Sequence, residues 1–380
     1  MIKRITFYLA KLNAGGAQGV MINLANEFSK QGYEIDLVVG SAKGEMASRV
    51  NKGVRIINYG FRKNMASKSI LPFVWYLLSR KPDVVVTTLR STNIAVTIAW
   101  TLAHLVKRKS SVLILRESCA ITDHNYKSSL SKRMLFLTSR FWYGFADMVV
   151  HPSNASKNSY LTYSGTKTIK KKVIPNPVVN KELYQMSNEC PHHQWYKDRN
   201  IKVILGAGRL TYQKNFELLI RSFYRVACVD PSIRLIIIGE GPDREKLTLQ
   251  CAKLGILNKV FMPGFQENPY SFMKASSLFV LSSRHEGLPN VLIQAMACGT
   301  PVIATDCPGG SCEIITDGKS GRLVPIDDEI IMADAIKEML TCPTSREILL
   351  ESSSRYNQNQ VAGQYSNLFQ ELIHERNGKG

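Results

Sequence analysis

The chain has 380 residues, 44% of them hydrophobic and 21% charged, which is too long for one ordinary domain, suits two, and excludes a disordered or low-complexity polypeptide. Its formal net charge is +19, and the excess is one-sided: residues 1–180 hold 27 Lys+Arg against 8 Asp+Glu, while residues 181–380 hold 22 of each. A basic half beside a neutral one predicts that the first half meets an extended anionic partner, a lipid surface or a nucleic acid. The longest apolar runs, 70–78 and 94–106, fall short of the ~20 residues a membrane-spanning helix needs. Eight cysteines are scattered without a C-x-x-C pair and without a leader sequence before them, so reduced thiols in a cytoplasmic protein are expected.

In the first half, Ile5 to Ala10 reads as a strand, Lys11 to Gly16 as a loop, and Ala17 to Lys30 as a helix with Val20, Leu24 and Phe28 at core-facing spacing. Ile35 to Val39 is the next strand, which completes an opening β-α-β in which Gly15 and Gly16 allow close approach of a ligand to the helix start. Asp83 to Thr88 and Val112 to Leu115 continue the strands. Each is followed by a polar loop, Arg90-Ser-Thr-Asn93 and Arg116-Glu117-Ser118, and in doubly wound sheets such loops line the ligand cleft. His124 is the nearest histidine downstream. Residues 132–145 combine Lys132, Arg133 and Arg140 with Met134, Leu135, Phe136, Leu137, Phe141 and Trp142, a pattern that fits a core helix with solvated charges or a helix lying in a lipid interface. Met148 to Val150 is a further strand, and Pro175-Asn176-Pro177 forbids helix and marks the domain boundary. Residues 181–200 are polar and extend the linker.

From Lys202 strands and helices alternate: strands at 203–207, 234–238, 259–263, 278–281 and 301–304, helices at 215–229, 243–254, 268–275 and 289–298. This spacing predicts a parallel sheet covered on both faces. The loop Gly208-Arg209-Leu-Thr-Tyr-Gln-Lys214 places two cations at the carboxyl end of the first of these strands. After the strand ending at Leu281 come a loop and a helix with Pro289 as its first residue, so the backbone donors at the helix start belong to Asn290 and Val291. With the helix dipole behind them these form a cup for an anion such as phosphate. Glu286 lies just before the cup, where it fits sugar hydroxyls rather than the anion, and Gln294 can reach a second hydroxyl pair.

Glu286-Gly-Leu-Pro-Asn-Val-Leu-Ile-Gln-Ala-Met-Ala-Cys-Gly-Thr-Pro-Val-Ile-Ala-Thr305 resembles the donor-sugar-nucleotide signature of the family 4 retaining glycosyltransferases. The resemblance extends to Gly208-Arg209-x4-Lys214, similar to the family's diphosphate-binding pair, to Gly15-Gly16-Ala17, and to Ile174-Pro-Asn-Pro-Val178, similar to its interdomain linker. It implies an α/β GT-B fold of two facing Rossmann-like domains: an acceptor-binding domain over 1–180, joined by a C-terminal helix at about 356–380, and a nucleotide-sugar domain over 181–355. It further implies that Glu286 contacts the transferred sugar and that Arg209 and Lys214 hold the diphosphate. The donor pocket is completed by Gly15, Gly16, Gly208, Gly239, Gly264, Phe265, Gly287, Leu288, Asn290, Val291 and Gln294. Gln294 stands where the family usually has a second Glu for the ribose, so that contact becomes an uncharged hydrogen bond. Arg90, Asn93, Glu117, Ser118 and His124 fall to the acceptor side.

The resulting expectation is a retaining transferase moving a hexose or N-acetylhexosamine from a UDP- or GDP-sugar to a lipid-linked or growing surface-polysaccharide acceptor. No cofactor is expected beyond the nucleotide-sugar co-substrate. No metal is expected either, since the chain has no Asp-x-Asp. The enzyme would lie on the inner face of the cell membrane, held to anionic lipid by its N-terminal domain through groups such as Arg62-Lys63, Lys107-Arg108-Lys109, Lys132-Arg133 and Lys170-Lys171-Lys172, and would not bind nucleic acid. A sugar-nucleotide epimerase would need carboxylates that the first half scarcely has, and a basic nucleic-acid-binding protein leaves the donor cup unexplained. A dinucleotide oxidoreductase would need a third glycine after Gly206-Ala-Gly208.

Overall fold

The computed structural model describes residues 2–13, 15–61, 66–106, 111–118, 130–164 and 169–378. The chain forms two compact units, residues 1–177 with 358–380, and residues 178–357.

The first unit is built on a seven-stranded, wholly parallel sheet. In chain order its elements are β1 (Arg4–Lys11), α1 (Gly16–Lys30), β2 (Glu34–Ser41), β3 (Val54–Asn58), α2 (Ile70–Arg80), β4 (Val84–Thr88), α3 (Arg90–Val106), β5 (Val112–Arg116), α4 (Leu130–Trp142), β6 (Met148–His151), α5 (Asn154–Ser164) and β7 (Lys171–Val173). The spatial order is β3-β2-β1-β4-β5-β6-β7, so the order reverses between β1 and β4. Both faces of the sheet are covered, which is why its strands are apolar almost without interruption. Along β1, Ile5, Phe7 and Leu9 enter one buried cluster with Val20, Leu24 and Phe28 of α1, and Tyr8 enters the other with Phe73, Trp100 and Phe136 of α2, α3 and α4. β3 and β7 were not among the expected strands; β7 is only Lys-Lys-Val, and β3 leaves Arg55, Ile56 and Asn58 exposed. Each lies at a sheet edge, where half-exposed polar residues are compatible with pairing on one side only.

The second unit begins with α6 (Lys181–Ser187), so the stretch expected as linker is folded. Asn180 caps this helix through Leu183 N–H at 2.9 Å, and Leu183 is fully buried. Then follow β8 (Lys202–Ala207), α7 (Phe216–Ala227), β9 (Ile233–Ile238), α8 (Arg244–Lys253), β10 (Val260–Gly264), α9 (Pro269–Ala275), β11 (Leu278–Leu281), α10 (Asn290–Ala297), β12 (Val302–Thr305), α11 (Ser311–Ile314), β13 (Arg322–Val324), α12 (Glu329–Thr341) and α13 (Arg346–Ser354). The six parallel strands run β10-β9-β8-β11-β12-β13, with the reversal between β8 and β11. The chain re-enters the first unit as α14 (Gln358–Asn377), whose Val361, Tyr365, Leu368, Phe369 and Leu372 are buried against α1 and the sheet. The architecture is α/β, with two Rossmann-like units.

Among the described residues no helix is long and apolar enough to cross a membrane. All seven described cysteines are free thiols; Cys119 lies outside the described residues.

Candidate active site

In the second unit β8 and β11 are hydrogen-bonded neighbours, with Ile204 opposite Leu278 and Leu205 opposite Phe279. Their following loops therefore emerge side by side at the reversal point, where open α/β sheets bind ligands. This adjacency brings together residues 72 apart. Lys214 Nζ lies 2.6 Å from Glu286 Oε1, and both side chains are largely buried. The same carboxylate oxygen accepts from Ser283 Oγ at 2.6 Å.

The pair is held by a lattice of bonds between the two loops. Arg284 N–H donates to the Gln213 carbonyl at 2.8 Å, Gln213 Nε2 to the His285 carbonyl at 2.9 Å, and Ser282 Oγ to the Lys214 carbonyl at 2.9 Å. A third loop closes the arrangement through Asp327. Its Oδ1 accepts from Asn215 Nδ2 at 2.7 Å and from Arg284 Nη2 at 2.9 Å, while the Arg284 guanidinium lies 4.2 Å over the Tyr212 ring. Asn215 and Asp327 both have left-handed backbones (φ 50° and 61°), which these two residue types tolerate better than most.

Arg209, on the same loop as Lys214, is exposed and has no ion-pair partner among the described residues. Gly208 lies beneath it, and its neighbour Gly239 has no room for a side chain: with φ 130°, a Cβ there would sit 1.9 Å from the Gly208 carbonyl oxygen. Gly309 (φ 141°) is equally constrained, since a Cβ would meet the Glu286 carbonyl at 2.2 Å. The turn 308–310 thus backs Glu286, with Glu286 N–H donating to the Pro308 carbonyl at 3.0 Å and Gly310 N–H to the Gly287 carbonyl at 2.9 Å. Gly264 ends β10, and Phe265 after it is half exposed. Burial pushes the neighbouring Cys307 thiol up to about 11, so it stays protonated near neutral pH.

The helix start differs by one residue from the expectation. Pro289 is the extended residue before α10 (φ −72°, ψ 94°), not its first helical residue, and the helical ladder opens with Leu292 N–H donating to the Pro289 carbonyl at 3.0 Å. The donors ahead of that bond are still those of Asn290 and Val291. Gly287 and Leu288 are buried in the approach to the helix, and Gln294, one turn in, is half-buried with its Nε2 3.5 Å from the Tyr270 hydroxyl.

In the first unit, Gly15 precedes α1 in an extended conformation and Gly16 opens that helix. The first turn of α3 and the loop after β5 meet in a buried polar group, so Arg90 to Asn93, expected as a loop, is helical. Arg90 Nη2 lies 3.0 Å from Glu117 Oε2, Tyr143 donates its hydroxyl to Glu117 Oε1 at 2.6 Å, and Asn93 Nδ2 donates to Tyr143 Oη at 2.9 Å and to the Arg116 carbonyl at 3.0 Å. Burial raises the Tyr143 phenol well above its ordinary range, with the Glu117 carboxylate reinforcing it, so it remains a donor. His151, at the end of β6, is fully buried with neither ring nitrogen hydrogen-bonded among the described residues. Ser118 is half-buried beside this group. His124 lies outside the described residues, as do Arg62-Lys63 and Lys107-Arg108-Lys109. Of the basic groups suggested as lipid contacts, Lys170 and Lys172 are engaged with Glu375 and Glu371 of α14, at 2.5 and 2.8 Å.

Sequence reasoning passed over Ser283, Asn215, Arg284, Asp327, Tyr143 and His151. Ser283 lies three residues before Glu286 and was within reach of a local reading. Asp327 is 112 residues from Asn215 and carries no motif. Among the described residues no group of three or more His, Cys, Asp or Glu side chains could hold a metal ion.

A cation loop and a buried Glu at the reversal point of one Rossmann-like unit, in a chain that holds a second such unit, are features of the two-domain GT-B glycosyltransferase class. Residues 14–181 match the model of Glycosyltransferase Family 4, and residues 191–359 match that of Glycosyl transferases group 1. The chain belongs to this family. It is 34% identical over 237 residues to an uncharacterized glycosyltransferase of Methanocaldococcus jannaschii (62% of this chain, 58% of the relative). It is 30% identical over 217 residues to a Campylobacter jejuni N-acetylgalactosamine-N,N'-diacetylbacillosaminyl-diphospho-undecaprenol 4-alpha-N-acetylgalactosaminyltransferase (57% and 56%). These matches span little more than half the length of those relatives. A second Campylobacter jejuni protein, an alpha-1,4-N-acetyl-D-galactosaminyltransferase named for a PP-undecaprenol-linked saccharide, aligns over 93% of both chains at 26% identity. Anabaena HepE, solved with UDP-glucose, shares the fold at a TM-score of 0.81 and 19% identity, covering 97% of this chain and 99% of its own.

Proposed function

We propose that this glycosyltransferase moves a hexose or N-acetylhexosamine, with retention of anomeric configuration, from a UDP- or GDP-sugar to a lipid-linked saccharide or growing surface polysaccharide. The observation that carries the reading is the 2.6 Å Lys214–Glu286 pair, set beside exposed Arg209 at the carboxyl ends of β8 and β11. As the bond from the anomeric carbon to the diphosphate breaks, charge builds on the leaving nucleoside diphosphate. Arg209 offers it a bidentate fork and Lys214 a point charge, and the start of α10 supplies backbone donors. These fixed cations do the work without a metal. Glu286 accepts from the sugar's hydroxyls, and its bonds to Lys214 and Ser283 hold it oriented for that.

Support for a lipid-linked acceptor comes from the two Campylobacter relatives named for diphospho-undecaprenol or PP-undecaprenol saccharides. Relatives named for lipopolysaccharide core and amylovoran biosynthesis favour surface glycan assembly. Such an acceptor places the enzyme at the inner face of the cell membrane, to which its basic first unit is attracted. The test is to incubate the full chain with a panel of UDP- and GDP-sugars and an undecaprenyl-diphosphate-linked saccharide, and to determine the product anomer. Transfer with the donor's own anomeric configuration is expected; an inverted product, or no transfer from any donor in the panel, refutes the proposal.

A further inference from the structure

The helices α2, α3 and α4 lie side by side over one face of the first unit's sheet, and none of the three contains an Asp or a Glu. Each buries one stripe. Phe73 and Leu77 of α2, Val96 and Trp100 of α3, and Phe136 of α4 enter the same core cluster. Each also presents a second apolar stripe to solvent: Leu71 and Trp75 on α2 are 75% and 74% exposed, Leu105 and Val106 on α3 78% and 71%, and Phe141 on α4 63%. Burial in the core does not account for these side chains, because a surface helix ordinarily turns polar residues outward. The exposed charges on the same helices are all cationic, Arg80 at the end of α2 and Arg133 and Arg140 on α4. The opposite face of the sheet differs. There α14 carries Glu371 and Glu375, which neutralise Lys172 and Lys170.

We infer that the outer face of α2, α3 and α4 is the surface by which this protein docks onto an anionic lipid bilayer. Trp75, Leu105 and Phe141 enter the boundary between headgroups and acyl chains, and Arg80, Arg133 and Arg140 meet lipid phosphates. An outward apolar ridge on helices that carry exposed cations and no carboxylate of their own is the chemistry of an interfacial membrane contact. Nucleic acid would draw on the cations but leave Leu71, Leu105 and Val106 in water. The inference deepens the membrane-face reading above by assigning the contact to one side of one unit. It also narrows the candidate basic clusters, which cannot all lie on one face, by leaving out Lys170 and Lys172, which pair with α14.

The experiment is sedimentation of the full chain with vesicles, without donor or acceptor, so that its outcome is independent of whether the transfer reaction has been correctly assigned. Phosphatidylcholine vesicles are compared with an equal mixture of phosphatidylcholine and phosphatidylglycerol. Binding to the mixed vesicles alone is expected, with Trp75→Ser and Phe141→Ser each weakening it roughly tenfold through loss of buried aromatic area. The decisive comparison is between two double variants of equal charge change. Arg133→Ala with Arg140→Ala should weaken binding roughly tenfold or more, whereas Lys170→Ala with Lys172→Ala should change it less than about twofold. Equal loss in the two double variants would show attraction by net charge alone and overturn the assignment, as would unchanged binding of both aromatic variants. Stronger binding to duplex DNA than to the mixed vesicles at equal ionic strength would replace the membrane with a nucleic acid. All the substituted side chains are solvent-exposed or half-exposed, and an unchanged thermal midpoint verifies that each variant is folded.

Discussion

Glu286 is a largely buried carboxylate that accepts from one ammonium and one hydroxyl. Removing it leaves Lys214 unpaired and, on the proposed reading, takes away the carboxylate that accepts from the sugar's hydroxyls. Glu286→Ala should lower kcat by about 10²–10³, and Arg209→Ala should do the same by removing charge stabilisation from the leaving diphosphate. Steady-state rates with saturating donor measure both, and near-normal turnover in either variant removes that residue from the reaction. Gln294 is a different case, because its amide lies 3.5 Å from the Tyr270 hydroxyl and is only weakly committed. Gln294→Glu should keep kcat within about threefold and lower the donor Kd, since a charged acceptor binds ribose hydroxyls more strongly. Isothermal titration with the nucleoside diphosphate reads this directly, and weakened binding would assign Gln294 another partner.

At the scale of elements, the loops after β8 and β11 depend on a third loop that precedes α12. Asp327 links Asn215 and Arg284, so Asp327→Ala should release the segment carrying Arg209 and Lys214. The expected loss is about tenfold in kcat/KM, mostly in KM, with Asp327→Asn partly restoring it because asparagine also tolerates the left-handed backbone. A kcat loss with unchanged KM would contradict a positioning role. In the first unit, burial lowers His151 from 6.5 to about 4; Glu117 opposes that shift, and Lys171, Lys157 and Arg90 reinforce it. The unfolded chain therefore takes up the proton before the folded one does. Stability from this group is complete above the unfolded value and is lost as pH falls toward about 4, by a total of about 3 kcal/mol. Denaturant unfolding at a series of pH values should show the fall, and His151→Leu should flatten it over that window.

For the whole molecule, the path of the chain matters more than the length of either half. The first unit is completed only when α14 returns from the second, bringing Val361, Tyr365, Leu368, Phe369 and Leu372 into its core. Burial of side chains of this size contributes about 2 kcal/mol each, so their loss approaches the entire stability of a domain. A chain ending at residue 357 should therefore lose hydrogen-exchange protection throughout β1, β2 and α1 while residues 178–357 keep theirs. Protection unchanged in the first unit would mean that its core is self-sufficient. The charge divides along the same line: the 358–380 segment has two acidic and two basic residues, so the whole excess of +19 remains on the first unit.

The alternation of strands and helices from Lys202 onward was legible because the central strands β8, β11 and β12 are apolar runs buried on both faces, between loops rich in glycine and proline. The position of Glu286, Arg209 and Lys214 at the sheet's carboxyl edge was legible for a related reason: their loops are short and directly follow such strands. Other features depended on neighbours distant in the chain. β7, Lys-Lys-Val, is a strand because a partner's backbone pairs with it, not because its own residues favour it. Residues 181–187 are helical because Leu183 finds a core to enter. The role of 132–145 stayed divided at the level of periodicity, which reports an apolar stripe and not which stripe is covered. The structure shows Phe136 buried and Phe141 in solvent on one helix. Asp327 gained its place beside Asn215 and Arg284 only through the crossover that lays β12 and β13 next to β11. A sequence specifies the local periods and turns directly, whereas contacts across a hundred residues exist only after the sheet order has closed them.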